Sequence, residues 1–134
     1  MLLAVLLSWP LAAHLSTTLP GPPGDNVAFL WNFWWIREAV STLSSPFFTP
    51  YLFAPHGIDL TLNTTTPLPA LVGATVFSPF SIVTAQNLVT LLALSLNGFV
   101  AYRLARRFTT DEGAAFVAGV IFASGAFISS HLLG

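Results

Sequence analysis

Residues 81–102 carry no charged side chain. As a helix this stretch would reach about 33 Å at 1.5 Å per residue, and about 20 mostly apolar residues suffice to cross a bilayer. The rest of the chain agrees: mean hydropathy is +0.78, only 7% of residues are charged, and lysine is absent. A soluble domain would carry charge on roughly a quarter of its surface residues. The sequence therefore predicts an all-α, polytopic transmembrane protein whose first partner is the lipid bilayer. Its four basic residues are arginines scattered through apolar sequence, which make no basic stripe for nucleic acid. The absence of cysteine excludes disulfide frameworks, thiolate metal sites and a Cys nucleophile together.

Two further stretches are candidates to span. Residues 1–15, "MLLAVLLSWPLAAHL", are short and interrupted by Pro10. With Ala12 and Ala13 they resemble a signal peptide, but no basic start precedes them, and we read them as part of a first span. Residues 113–133 form the third span and are free of charge. The sequence stops on "SSHLLG", and we read it as the amino-terminal fragment of a longer membrane protein, with its remaining transmembrane helices as partners. Between the second and third spans, Arg103, Arg106 and Arg107 mark residues 103–112 as a cytoplasmic loop, and the same arginines complement a helix carboxyl end. Thr109 as cap with Glu112 three residues later makes a capping box for the third span, so Asp111 and Glu112 require no catalytic role.

That orientation places residues 16–80 outside. Pro20, Pro22 and Pro23 forbid a continuing helix, and a new one is predicted over about 25–45. Phe29, Phe33, Ile36, Val40 and Leu43 make its apolar stripe, with Arg37, Glu38, Ser41, Ser44 and Ser45 on the opposite face. Such a helix lies in the membrane interface, with Trp31, Trp34 and Trp35 at headgroup level. The proline- and aromatic-rich stretch after it reads as an ordered loop, because a flexible linker would not carry Phe47, Phe48, Tyr51 and Phe53. A short dipping helix over about 68–78 leads into the second span.

The order "SWPLAAHLSTTLPG", "GDN", "LWNFWWIREA", "FTPYLFAPHGIDL", "NTTTPL" and "RLARRFT" resembles the amino-terminal part of bacterial membrane proteins of the GT-C glycosyltransferase superfamily, of the family 39 type. The resemblance covers nearly the whole chain. It implies a multi-pass enzyme of the bacterial inner membrane that takes a sugar from a polyprenyl-phosphate carrier on the outer face. In such enzymes an acid in the first external loop acts as catalytic base or helps to hold a divalent metal. Asp25 is the residue that matches that position. Several relatives carry two adjacent acids, whereas Asn26 follows here.

Asp25 has an ordinary reading as well, since Asp before a helix is a preferred cap. The chemistry suits the position independently. A carboxylate at the membrane surface can take the proton from an acceptor hydroxyl, and the carrier phosphate stays at that level. Arg37, His56 and Asp59 are candidates to bind the substrate's phosphate or sugar. Against these stand the bland readings of a polar helix face and a solvated loop. His14 and His131 near span ends make no metal site, and Asn63-Thr64-Thr65 reads as a turn before Pro67. Gln86, Thr90, Ala93 and Asn97 share one stripe expected to face other helices, and Ala115, Gly119 and Ala123 form a small-residue ridge for close helix contact. A transporter or flippase is the alternative, but it would want polar groups at mid-membrane.

Overall fold

A computed structural model describes residues 2–21 and 24–125. Most of them are helical: α1 (Leu2–Leu7), α2 (Asp25–Ser41), α3 (Pro67–Thr75), α4 (Ile82–Ala105) and α5 (Glu112–Ala123), with a 3-10 turn at Leu11–Ala13. The expected all-α class is modified by a small hairpin, β1 (Phe48–Thr49) and β2 (Ile58–Asp59), which pairs Phe48 with Asp59 and Thr49 with Ile58 in antiparallel register. The chain divides into two compact units, residues 23–86 and residues 1–22 with 87–134.

In the second of these units, α1 ends at Leu7, ahead of Pro10, whose nitrogen has no hydrogen to donate. The span expected over 1–15 is therefore not one continuous helix. Ala4 packs with Leu91 and Leu94 of α4, and Leu7 and Leu15 close around them. The fully buried Asn87 donates through Nδ2 to the carbonyls of Leu15 (2.9 Å) and Thr18 (2.7 Å), fastening the segment after the 3-10 turn to α4.

α4 is the one described helix long and apolar enough to cross a membrane, and only 17% of its most apolar stretch is buried. The core helix of a soluble protein would be mostly buried; here Leu96, Phe99, Val100 and Leu104 are at least half exposed. The helix outlasts its expected end by one turn, so Arg103 lies in its last turn and favours the negative end of the helix dipole.

α5 meets α4 along the predicted ridge. Ala115, Gly119 and Ala123 are buried, and a Cβ at Gly119 would fall 2.8 Å from the Gly98 carbonyl oxygen. Small residues let the two backbones approach this closely. The cap differs from expectation. Asp111, not Thr109, is the N-cap, and its Oδ1 accepts from the backbone N–H groups of Gly113 (2.8 Å) and Ala114 (3.2 Å). Thr109 Oγ1 instead accepts from the Asp111 N–H. The charged carboxylate is the stronger acceptor for the positive end of the helix. Glu112 pairs with Arg106 at 3.4 Å, an exposed contact that contributes little. At 12 residues α5 is about 18 Å long; it ends at Ala123 with Ser124 as its C-cap, and residues 126–133 of the predicted third span, His131 among them, lie outside the described residues. The polar stripe on α4 divides, with Gln86 buried and Ala93 and Asn97 exposed.

In the unit of residues 23–86, α2 stops at Ser41, four residues short of expectation. Thr42 turns back onto Glu38 through its N–H and its hydroxyl, both donating to the Glu38 carbonyl. Leu43 then takes φ 53, outside the helical region. The helix is not a one-sided interfacial rod. Phe33 and Ile36 are buried, but so are Trp35 and Ala39 on another side, while Val40 is exposed and Leu43 is 94% exposed. Trp35 and Ala39 pack on Leu60, which is fully buried beside β2. The Trp35 indole N–H donates to the Pro46 carbonyl at 3.0 Å, and Asn32 Nδ2 to that of Thr64 at 3.3 Å. Pro67 and Pro69 sit in the first turn of α3, where a missing N–H costs nothing.

Candidate functional site

Asp25 stands at the start of α2, but not as its cap. That place belongs to Gly24, whose φ of 141° is open to glycine and strained for side-chain-bearing residues. Asp25 is the first helical residue and is exposed. Its negative charge suits the helix amino end, yet among the described residues no hydrogen bond or ion pair engages its carboxylate. Pro22 and Pro23, read from sequence as the break before this helix, lie outside the described residues.

The next residue is tied to α4. The Asn26 carbonyl accepts from Nε2 of the buried Gln86 at 3.5 Å. Gln86 is the fifth residue of α4, about 6 Å along its axis from the amino end. In the sequence Gln86 reads only as a packing position, and nothing local connects it with a residue sixty positions earlier. The start of α2 is thereby fixed at the amino end of α4.

The other candidates are not gathered around Asp25. Arg37 lies twelve residues further along α2, about 18 Å down the axis. It is not on an open polar face: Nη1 donates to the Phe80 carbonyl (3.0 Å), and Nη2 to those of Gly73 (3.4 Å) and Phe77 (3.5 Å). These carbonyls lie on α3 and on the turn that follows it, so Arg37 fastens the end of that helix. Lys and Arg commonly serve helix carboxyl ends in this way.

Asp59 lies in β2, and its Oδ1 accepts from both the N–H and the hydroxyl of Thr61. These two bonds hold its carboxyl below the ordinary value of 3.8. His56 is an exposed residue of the hairpin tip, its backbone N–H bonded to the Phe53 carbonyl. The hairpin packs against Trp35 and Ala39, ten and fourteen residues from Asp25, about 15–21 Å along α2. The four candidates therefore occupy three separate places.

No three His, Cys, Asp or Glu side chains among the described residues gather where they could hold a metal. Asp25 with Asn26 offers one carboxylate and one amide oxygen, which would leave most of a divalent ion's coordination to water and a substrate phosphate. The unit of residues 1–22 and 87–134 contains a cavity of about 240 Å³ lined by Ala4, Leu94, Gly98, Tyr102, Phe116 and Gly119 among others. Among the described residues its lining offers no acid, histidine or arginine for catalysis. Comparison with known protein families, curated proteins and solved structures finds no match to this chain.

Proposed function

We propose that this chain belongs to a polytopic GT-C-type glycosyltransferase of the bacterial inner membrane. It moves a sugar from a polyprenyl-phosphate carrier to an acceptor hydroxyl on the outer face, with Asp25 as catalytic base. The observation that supports this most is the bond from Gln86 to Asn26. It keeps an exposed carboxylate, engaged by no hydrogen bond or ion pair among the described residues, close to the end of a helix long and apolar enough to cross a membrane. That is the depth at which a carrier phosphate sits. In the proposed step the Asp25 carboxylate accepts the acceptor's O–H proton, and the acceptor oxygen bonds to the anomeric carbon. The bond from that carbon to the phosphate oxygen breaks, and its electron pair leaves with the carrier phosphate.

The test is Asp25→Asn in the protein as its membrane holds it. Because Asp25 caps nothing, abundance should be unchanged, while transfer of labelled sugar from a polyprenyl-phosphate donor should fall by about 10²–10⁴. Normal transfer would sink the assignment.

A further inference from the structure

The aromatics that the sequence assigns to the membrane surface are not the ones the fold leaves open. Trp35 is buried, and Trp31 and Trp34 are packed around the same core. Among the exposed aromatics, four cluster in sequence on the β1–β2 hairpin: Phe47, Phe48, Tyr51 and Phe53, the last 74% exposed. They are held firmly. The Tyr51 ring meets those of Trp34 (5.2 Å) and Trp35 (5.7 Å) edge-on. The Phe48 ring lies on Gly57, where a Cβ would fall 2.6 Å from its Cζ. Phe53 takes φ 54, a conformation that bulky residues rarely adopt, while the residue stays largely exposed. Backbone strain that presents a large apolar side chain to the outside points to an occupant there.

The chemistry of the surface narrows that occupant. Residues 39–58 contain no Asp, Glu, Lys or Arg. The nearby Asp59 carboxylate is taken up by Thr61, and the hairpin's pairing satisfies backbone groups at its base. An uncharged surface of phenylalanine and tyrosine fits the layer between headgroups and acyl chains.

We propose that the tip of the β1–β2 hairpin, led by Phe53 and flanked by Phe47, Phe48 and Tyr51, is seated in the interfacial layer of the bilayer. It anchors this unit to lipid irrespective of headgroup charge. The inference rests on the membrane reading above, but not on the sugar-transfer chemistry.

The absence of native cysteine allows single-site labelling of the full protein in phosphatidylcholine vesicles. A nitroxide at Phe53→Cys should collide more readily with oxygen than with a water-soluble nickel chelate. One at Asn63→Cys, beyond the other end of the hairpin, should show the reverse. Partial replacement by phosphatidylglycerol should leave both ratios unchanged. A Phe53 label as open to the chelate as the Asn63 label would overturn the inference. So would a label shielded from both reagents, which is the mark of a protein partner or a second copy. Flotation of the protein with the vesicles separates the two readings: protein that floats with a water-exposed Phe53 label sinks the hairpin anchor alone, and protein that does not float sinks the membrane reading with it.

Discussion

The Phe33 ring of α2 lies directly on Gly73 of α3: a Cβ at Gly73 would fall 2.6 Å from Cε1 and 2.8 Å from Cδ1 of that ring. Phe33 is buried, so the ring has no open side to retreat to. Gly73→Ala should therefore destabilise the protein by about 1–3 kcal/mol, the usual cost of overpacking a core, read as a lowered midpoint of thermal unfolding in detergent. On a Phe33→Leu background the same substitution should cost distinctly less. Equal losses on both backgrounds would show that the ring is not the cause.

Arg37 tests whether a cation on this helix serves the fold or the substrate. Its guanidinium reaches the carbonyls of Phe80, Gly73 and Phe77, a spread that the compact ammonium of lysine does not reproduce. Arg37→Gln should cost about 1.5–3 kcal/mol, as expected for hydrogen bonds to a charged group, and Arg37→Lys should recover part of it. On the proposed function, the protein that remains folded should show an unchanged KM for a polyprenyl-phosphate donor. A raised KM with undiminished thermal stability would instead make Arg37 a phosphate ligand.

Asp59 gives a pH dependence of defined sign. The hydroxyl and N–H of Thr61 favour its ionised form and lower its pKa from 3.8 in the folded chain. The unfolded chain thus binds the proton more readily, and stability rises with pH across this window. The contribution is complete above 3.8 and is lost as pH falls through the lower folded value. Tryptophan fluorescence should report the hairpin loosening in acid, because Trp34 and Trp35 pack on Tyr51. Asp59→Asn should flatten that part of the profile, and an unchanged acid transition would refute it.

The candidate site was legible in the sequence only in its first residue. "GDN" marks a helix start after a proline break, and the helix does begin at Asp25. What the motif does not carry is Gln86, whose side chain reaches Asn26 from sixty residues away. Nor does it reveal that Gly24, by its backbone angle, takes the cap and leaves the carboxylate of Asp25 unengaged. Arg37, His56 and Asp59 look alike as polar residues of one external region. Their separation follows from the rigid length of α2, which a list of residues in order does not convey.

By itself the sequence determined what is local or periodic. The uncharged run becomes α4 because a helix satisfies its own backbone whatever surrounds it. The ridge of Ala115, Gly119 and Ala123 is buried because residues four apart share a face. Tertiary structure decided which side of α2 is covered. Its apolar and aromatic residues lie nearly all around the helix, so spacing alone could not choose a face. The choice was made by segments distant in sequence, with α3 closing over Phe33 and Leu60 of the loop closing over Trp35 and Ala39. The same long-range packing buried the Trp35 indole and left Phe53 exposed at the hairpin tip, because burial depends on which surfaces meet rather than on the apolarity of a residue alone.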